Sequence, residues 1–350
     1  MSNILFQLSD ANSNKKVTLT TSDNEEEVIG GIILNRIAGI AFDKIDLNSL
    51  NKECQKILKV IRMHYEDQYD KFIKKLKFTT DILMAADFKF AFLKGSYLTP
   101  VLYKRGQRTS NDIDLLINAS DISKMQEILR KNGFVQGHCD SNGNIIAASR
   151  REIIESKMNY GETIPFLRYL DQDILEIDLN FSVDYKAKGV ENIVSNLLNN
   201  VQKVQINGLN IQTLSDVDFL IHLCCHLFKE ATTYEWLEHR RDLMLYKFSD
   251  INVFLHKHGC EEFFYKLQDR IKELNVEKEC YYTFVNSAVI YPSIKGIVGF
   301  DNMLNVIKPK STEYLNQIIY AKTKKKYYHE MTFEQWFSCE DRVSALKDIE

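Results

Sequence analysis

Three short runs carry side chains able to do chemistry. Asp112-Ile113-Asp114 lies in an apolar run in which Ile113, Leu115 and Ile117 fall on one face of a strand and Asp112 and Asp114 on the other. Two carboxylates on one strand face repel each other, so a fold that keeps them brings a cation to them. A second strand, Ile174–Phe181 (ILEIDLNF), repeats the pattern, with Leu175, Ile177, Leu179 and Phe181 facing one way and Glu176, Asp178 and Asn180 the other. The third run, Lys94-Gly95-Ser96, ends an apolar stretch and precedes a helical one. A strand that turns into a helix through glycine exposes backbone N–H groups that, with the helix dipole, attract phosphate oxygens, and Ser96 adds a hydroxyl donor. The turn is not a P-loop, because the GxxxxGK[ST] spacing is missing.

Together, the Gly-Ser turn, the spacer and the Asp-x-Asp strand resemble the signature of the polymerase-beta-type nucleotidyltransferase superfamily. The stretch Phe92–Ile117, FLKGSYLTPVLYKRGQRTSNDIDLLI, is similar to the branch known as an uncharacterised nucleotidyltransferase family, which it matches at Lys94, Tyr103, Arg108, Asp112 and Asp114. The likeness is specific over this stretch, fair from Ile174 to Phe254 and weak elsewhere.

The resemblance implies transfer of a nucleoside monophosphate from a nucleoside triphosphate (NTP) to an acceptor, with release of pyrophosphate. That chemistry uses two Mg²⁺ (or Mn²⁺) ions about 3.5–4 Å apart. Asp112 and Asp114 would bridge the ions and also serve as catalytic acids. The family's third acid falls at Asp178. Glu176, two residues earlier on the same face, is a rival, although the shorter side chain holds a metal more rigidly. Lys94 and Arg108 would supply positive charge to the phosphates, beside Gly95 and Ser96.

Other polar pairs read differently. Asp216-Val217-Asp218 opens a long apolar helix, where residues two apart do not share a face and acids suit the dipole, so it reads as a helix start. His222 and His226 are four apart on that helix without the Glu of HExxH, and read as packed helix histidines. A second reading puts His226, Lys229 or Arg241 in the nucleotide or acceptor pocket from the helical half. Lys322–His329 (KTKKKYYH) mixes charge with aromatics, but a lysine run is ordinarily a solvated face and assigns no RNA binding.

The elements that must position these residues follow from periodicity. Residues 1–25 are polar, with Lys16–Thr20 as a candidate strand. Helical spacing runs from Asp46 to Ala86 in two helices, the second over Tyr69–Met84, leading into a strand at Phe88–Leu93. Leu98–Tyr103 is predicted as a helix with Pro100 in its first turn. A polar loop (Arg105–Asn111), the strand Asp112–Ile117 and a helix over Ile122–Lys131 come next. Asn207-Gly208 marks a hairpin between Val201–Ile206 and Leu209–Thr213. Beyond it, helices are predicted at 215–229, 234–247, 250–257, 261–273 and 277–290.

The expected architecture is α+β: a nucleotidyltransferase-type mixed sheet flanked by helices, with a C-terminal helical domain. Residues 1–85 form an N-terminal extension and helices, 86–213 the catalytic core, and 214–350 the helical domain.

The chain has 350 residues, 45% hydrophobic and 27% charged, which suits an ordinary globular protein with substantial cores. A net charge of −3 argues against binding duplex nucleic acid by phosphate neutralisation. Met1–Asp10 shows no secretory signal, and the most apolar window, Gly30–Phe42, is too short for a bilayer and contains Arg36. Seven cysteines without a CxxC pair point to reduced thiols in a cytoplasm. The acceptor and the base stay open among a small antibiotic, a sugar phosphate, a peptide, a protein side chain or an RNA end, with a small molecule or peptide favoured. Transfer of the sugar from a nucleotide-sugar is one alternative. A non-catalytic nucleotide-binding or antitoxin-like module is another, opposed by the presence of all the acids and the Gly-Ser turn.

Overall fold

The computed structural model describes residues 2–159, 163–184 and 192–349. Contacts divide the chain into two compact units, one of Met1–Met63 with Leu220–Glu350 and one of His64–Phe219.

The His64–Phe219 unit is built on an eight-stranded mixed sheet. Its strands are β1 (Phe90–Phe92), β2 (Asp112–Ile117), β3 (Val135–Cys139), β4 (Ile145–Ala147), β5 (Phe166–Leu170), β6 (Asp173–Asn180), β7 (Val201–Ile206) and β8 (Leu209–Leu214). They lie in the order β4-β3-β5-β6-β2-β1-β8-β7, with β2/β6 and β1/β8 parallel. The alternation seen in the sequence sets the core, since Ile113, Leu115, Ile117, Leu175, Ile177 and Leu179 are all fully buried. Each such side chain contributes about 1.5–3 kcal/mol of hydrophobic stabilisation. The hairpin β7–β8 turns at Asn207 (φ 49°) and Gly208 (φ 78°), the two positive φ values its tight turn requires. Thr213 Oγ1 donates to Phe92 O at 2.7 Å and fastens β8 to β1.

Helices flank this sheet. The second half of α4 (Lys52–Leu83) buries Phe72, Leu76 and Leu83, and α6 (Ile122–Lys131) buries Ile122, Met125 and Leu129. Between β1 and β2 runs α5 (Gly95–Leu102), and α7 (Arg150–Asn159) and α8 (Ile193–Asn199) complete the unit.

Two expectations are corrected here. The region 46–86 forms one long helix from Lys52 rather than two, because nothing between residues 64 and 70 breaks it: neither glycine nor proline intervenes. The helix after β1 starts at Gly95, not Leu98. Pro100 is therefore in its second turn, where Ser96 C=O loses the N–H that would normally bond to it.

The other unit is mainly helical. It holds α1 (Ser2–Ser9), α2 (Glu25–Leu34), α3 (Ala38–Lys44), α10 (Tyr234–Glu238), α11 (Leu245–His258), α12 (Glu261–Leu274), α13 (Glu277–Ile290), α14 (Phe300–Val306) and α15 (Phe333–Ser338). Most of α9 (Asp216–Ala231) belongs to it as well, with a small sheet of β9 (Gln317–Ile319), β10 (Lys326–Tyr328) and β11 (Lys347–Asp348).

Near the N-terminus α1 buries Leu5, Phe6 and Leu8. Lys16–Thr20 makes only an isolated bridge, Val17 to Ile45, instead of a strand. The helix expected over 234–247 stops at Glu238. Arg240 takes a positive φ of 54°, and a new helix begins at Leu245. Among the described residues, no helix is long and apolar enough to cross a membrane. The seven cysteines are free thiols.

Candidate active site

The parallel pairing of β2 with β6 sets the acid geometry. Its register places Asp112 beside Glu176, Asp114 beside Asp178 and Leu116 beside Asn180, all on one face. Carboxylate oxygens of Asp112, Asp114 and Asp178 lie within 4.8 Å of one another; this is the cluster of possible metal-ligating groups among the described residues, and Glu176 is outside it. Asp112 stands at the exposed start of β2, Asp114 is buried and Asp178 is half-buried.

The electrostatics show the strain of this arrangement. Loss of hydration, then the neighbouring charge of Asp114, raises the carboxyl of Asp112 above its ordinary value, with Lys94 pulling the other way. Burial and the charges of Asp112 and Asp114 likewise raise Glu176, which Lys75 partly offsets. Burial alone would lower Lys94, but the charges of Asp114, Asp112 and Asp184 outweigh it and hold its ammonium above the usual lysine range. Lys94 Nζ donates to Asp114 Oδ1 at 2.9 Å, and Asn180 Nδ2 reaches the same oxygen at 3.4 Å. Three oxygen-donor carboxylates this close together, two of them on one strand face, fit a hard divalent cation such as Mg²⁺ or Mn²⁺.

The turn after β1 supplies the second half of the site. Lys94 caps α5 with φ 44° and ψ −121°, a conformation that costs an L-residue of order 1–3 kcal/mol. Gly95 follows, because a Cβ there would lie 2.1 Å from Ser110 Oγ and 2.9 Å from Arg108 Nη1. Ser96 is fully buried, and its Oγ has no hydrogen-bond partner among the described residues. Arg108 is buried too, and Tyr103 sits buried at the end of α5. The loop between α5 and β2 is fastened from outside by Arg105, which donates to Asp70 at 2.7 and 2.9 Å and to Glu66 at 2.6 Å on α4.

His226, Lys229 and Arg241 belong to the helical unit. There the His222 and His226 rings stack at 6.3 Å, and His226 Nε2 lies 3.5 Å from Glu230 Oε1. Glu230 is in turn paired with buried Lys247, whose Nζ also donates to the backbone carbonyl of Arg241 at 3.2 Å. Asp216 and Asp218 begin α9, where Ser215 Oγ accepts from the N–H of Asp218 at 3.2 Å, so they form a capped helix start. The basic segment ends in β10, the middle strand of the small sheet.

Three residues of the site were missed in the sequence. Asn180 was within reach of the same alternation that exposes Asp178. Thr99 and Ser110, whose hydroxyl oxygens lie 2.9 Å apart, had no sequence signal, since a contact between a helix and a loop is a tertiary property.

No curated protein matches the chain significantly. A solved nucleotidyltransferase-like protein from Paracoccidioides brasiliensis superimposes with a TM-score of 0.34 at 11% identity, covering 69% of this chain and 93% of that one, a likeness too loose to carry weight. The sequence model for an uncharacterised nucleotidyltransferase matches residues 23–292, the span that holds both acid strands, the Gly-Ser turn and most of the C-terminal helices. The chain belongs to this uncharacterised nucleotidyltransferase family.

Proposed function

We propose that the protein is a metal-dependent nucleotidyltransferase that moves a nucleoside monophosphate from an NTP to an acceptor hydroxyl or phosphate and releases pyrophosphate. The supporting observation is the convergence of the Asp112, Asp114 and Asp178 oxygens within 4.8 Å. These three would hold two divalent ions. Such ions, when bound, lower the cost of developing charge on the α-phosphate and on the attacking and leaving oxygens.

The chain's own groups do the remaining work. The Gly95 N–H and the positive end of α5 orient the triphosphate, while Ser96, whose own N–H bonds to Leu93 O at 3.1 Å, holds the turn. Lys94 places positive charge on the side where pyrophosphate departs, and Tyr103 supports the end of α5. One of the three acids accepts the proton released by the acceptor. Glu176 adds negative field from the adjacent register position. A small molecule or a peptide is the favoured acceptor.

Asp112→Asn tests this reading, because it keeps the shape and removes the charge. Triphosphate binding in the presence of Mg²⁺, and pyrophosphate release, should both be lost. Unchanged binding and release would refute the assignment.

A further inference from the structure

We propose that Arg108 is a positioning residue, which with Thr99 and Ser110 forms a hydrogen-bonded clasp that fixes the distance between the Gly95–Ser96 turn and the acids of β2. The proposal rests on the nucleotidyltransferase reading above and assigns a role within that same site.

The clasp is a closed triangle. Arg108 Nη1 donates to Ser110 Oγ at 2.5 Å and to Thr99 Oγ1 at 3.0 Å, and the two hydroxyl oxygens lie 2.9 Å apart. One hydroxyl proton therefore links the two oxygens while the guanidinium satisfies both. Thr99 is fully buried and Arg108 is 8% exposed. Ser110 is half-buried, and charge-assisted hydrogen bonds on this largely buried guanidinium are stronger than neutral ones.

Its attachment points give it a function. Thr99 lies one helical turn beyond Gly95, and Ser110 lies two residues before Asp112. The triangle thus ties the phosphate-facing end of α5 to the segment that delivers the first acid. Ser110 Oγ occupies the space in which a Gly95 side chain would begin. The glycine is required by the clasp, in addition to any approach by a phosphate. The fastening also accounts for the strained Lys94 backbone, since such a conformation persists only where its surroundings over-determine it. Arg108 Nη1, aimed at these two hydroxyls, acts on the triphosphate through the placement of the turn.

Binding of ATP, CTP, GTP and UTP, each with Mg²⁺, is measured by calorimetry for Arg108→Met, for Thr99→Val/Ser110→Ala and for the triple variant. Mn²⁺ binding without nucleotide is measured alongside. Each of the first two should weaken triphosphate binding by about tenfold. The triple variant should be no weaker than the double to within about twofold, the non-additivity of groups acting as one. Mn²⁺ affinity should stay at the wild-type value, because the sheet and not the clasp holds the acids. Thr99→Ser, which keeps the hydroxyl, should bind triphosphate as the wild type does and serves where a bolder variant fails to fold.

Losses that multiply in the triple variant would overturn the clasp and make Arg108 a direct phosphate ligand. A parallel fall in Mn²⁺ affinity would reduce the triangle to general structural support. If the wild type binds none of the four triphosphates, the functional reading fails instead. The clasp is then decided by thermal unfolding of the same variants, where additive losses overturn it.

Discussion

Replacing Gly95 with alanine introduces one methyl group at the narrowest point of the site. The new Cβ would lie 2.1 Å from Ser110 Oγ, 2.8 Å from Ser110 Cβ and 2.9 Å from Arg108 Nη1. All three separations are below any real carbon contact, so Ser110 and Arg108 must move. Both are held by the hydrogen bonds that join them to Thr99. Overpacking of this kind costs about 1–3 kcal/mol, and breaking one of these hydrogen bonds about 1 kcal/mol more. A loss of about 2–4 kcal/mol in unfolding free energy is therefore expected by denaturant titration. Affinity for a triphosphate with Mg²⁺ should fall by at least about tenfold.

The clash has a specific remedy. Ser110→Gly removes the two closest atoms, so Gly95→Ala/Ser110→Gly should recover part of the stability lost by Gly95→Ala alone. Gly95→Ala with wild-type stability and binding, or a double variant equal to the sum of its parts, would refute the packing described here.

Three further expectations follow from the charges. Lys94→Met leaves the buried Asp114 carboxylate without its ammonium partner and should destabilise the fold by about 1–3 kcal/mol in thermal or chemical unfolding without divalent ions. Mg²⁺ should restore part of that loss, and a variant indifferent to Mg²⁺ would contradict a shared cation site. Without divalent ions, the raised carboxyls of Asp112 and Glu176 mean that the folded state holds protons more tightly than the unfolded chain. Their contribution to stability should decline as pH rises above the ordinary carboxyl values of 3.8 and 4.5 and through the folded values. Lys94, whose folded value is raised, contributes fully below 10.5 and loses its contribution only at higher pH. The stabilisation given by Mg²⁺, read as a shift in unfolding midpoint, should accordingly grow from acid to neutral pH; a shift that shrinks with pH would count against carboxylate ligation.

The parts of this protein legible in the sequence were those fixed by short-range patterns. Alternation located β2 and β6 and put their acids on one face, and Asn207-Gly208 announced the β7–β8 hairpin with its two positive φ values. The choice between Asp178 and Glu176 was harder, because both share a face. Strand register separates them by placing Asp178 next to Asp114 and Glu176 next to Asp112. Register between strands so far apart in the chain is a tertiary property.

Other features depended on packing. The helix α1 is too short to stand out, yet it forms because Leu5 and Leu8 bury against neighbours distant in sequence. Pro100 made a later start for α5 look natural, whereas the helix begins at Gly95 and forgoes one backbone bond. Thr99 meets Ser110 and Arg108 in a contact no spacing rule contains.

The most direct test of the three-acid site is titration of Mn²⁺ with a non-hydrolysable NTP analogue, following the free-ion signal by electron paramagnetic resonance. The wild type should withdraw two ions per chain, and Asp114→Asn and Asp178→Asn should each abolish that uptake while remaining folded. A wild-type protein that leaves the free-ion signal unchanged, or variants that still take up both ions, would contradict the site built on Asp112, Asp114 and Asp178.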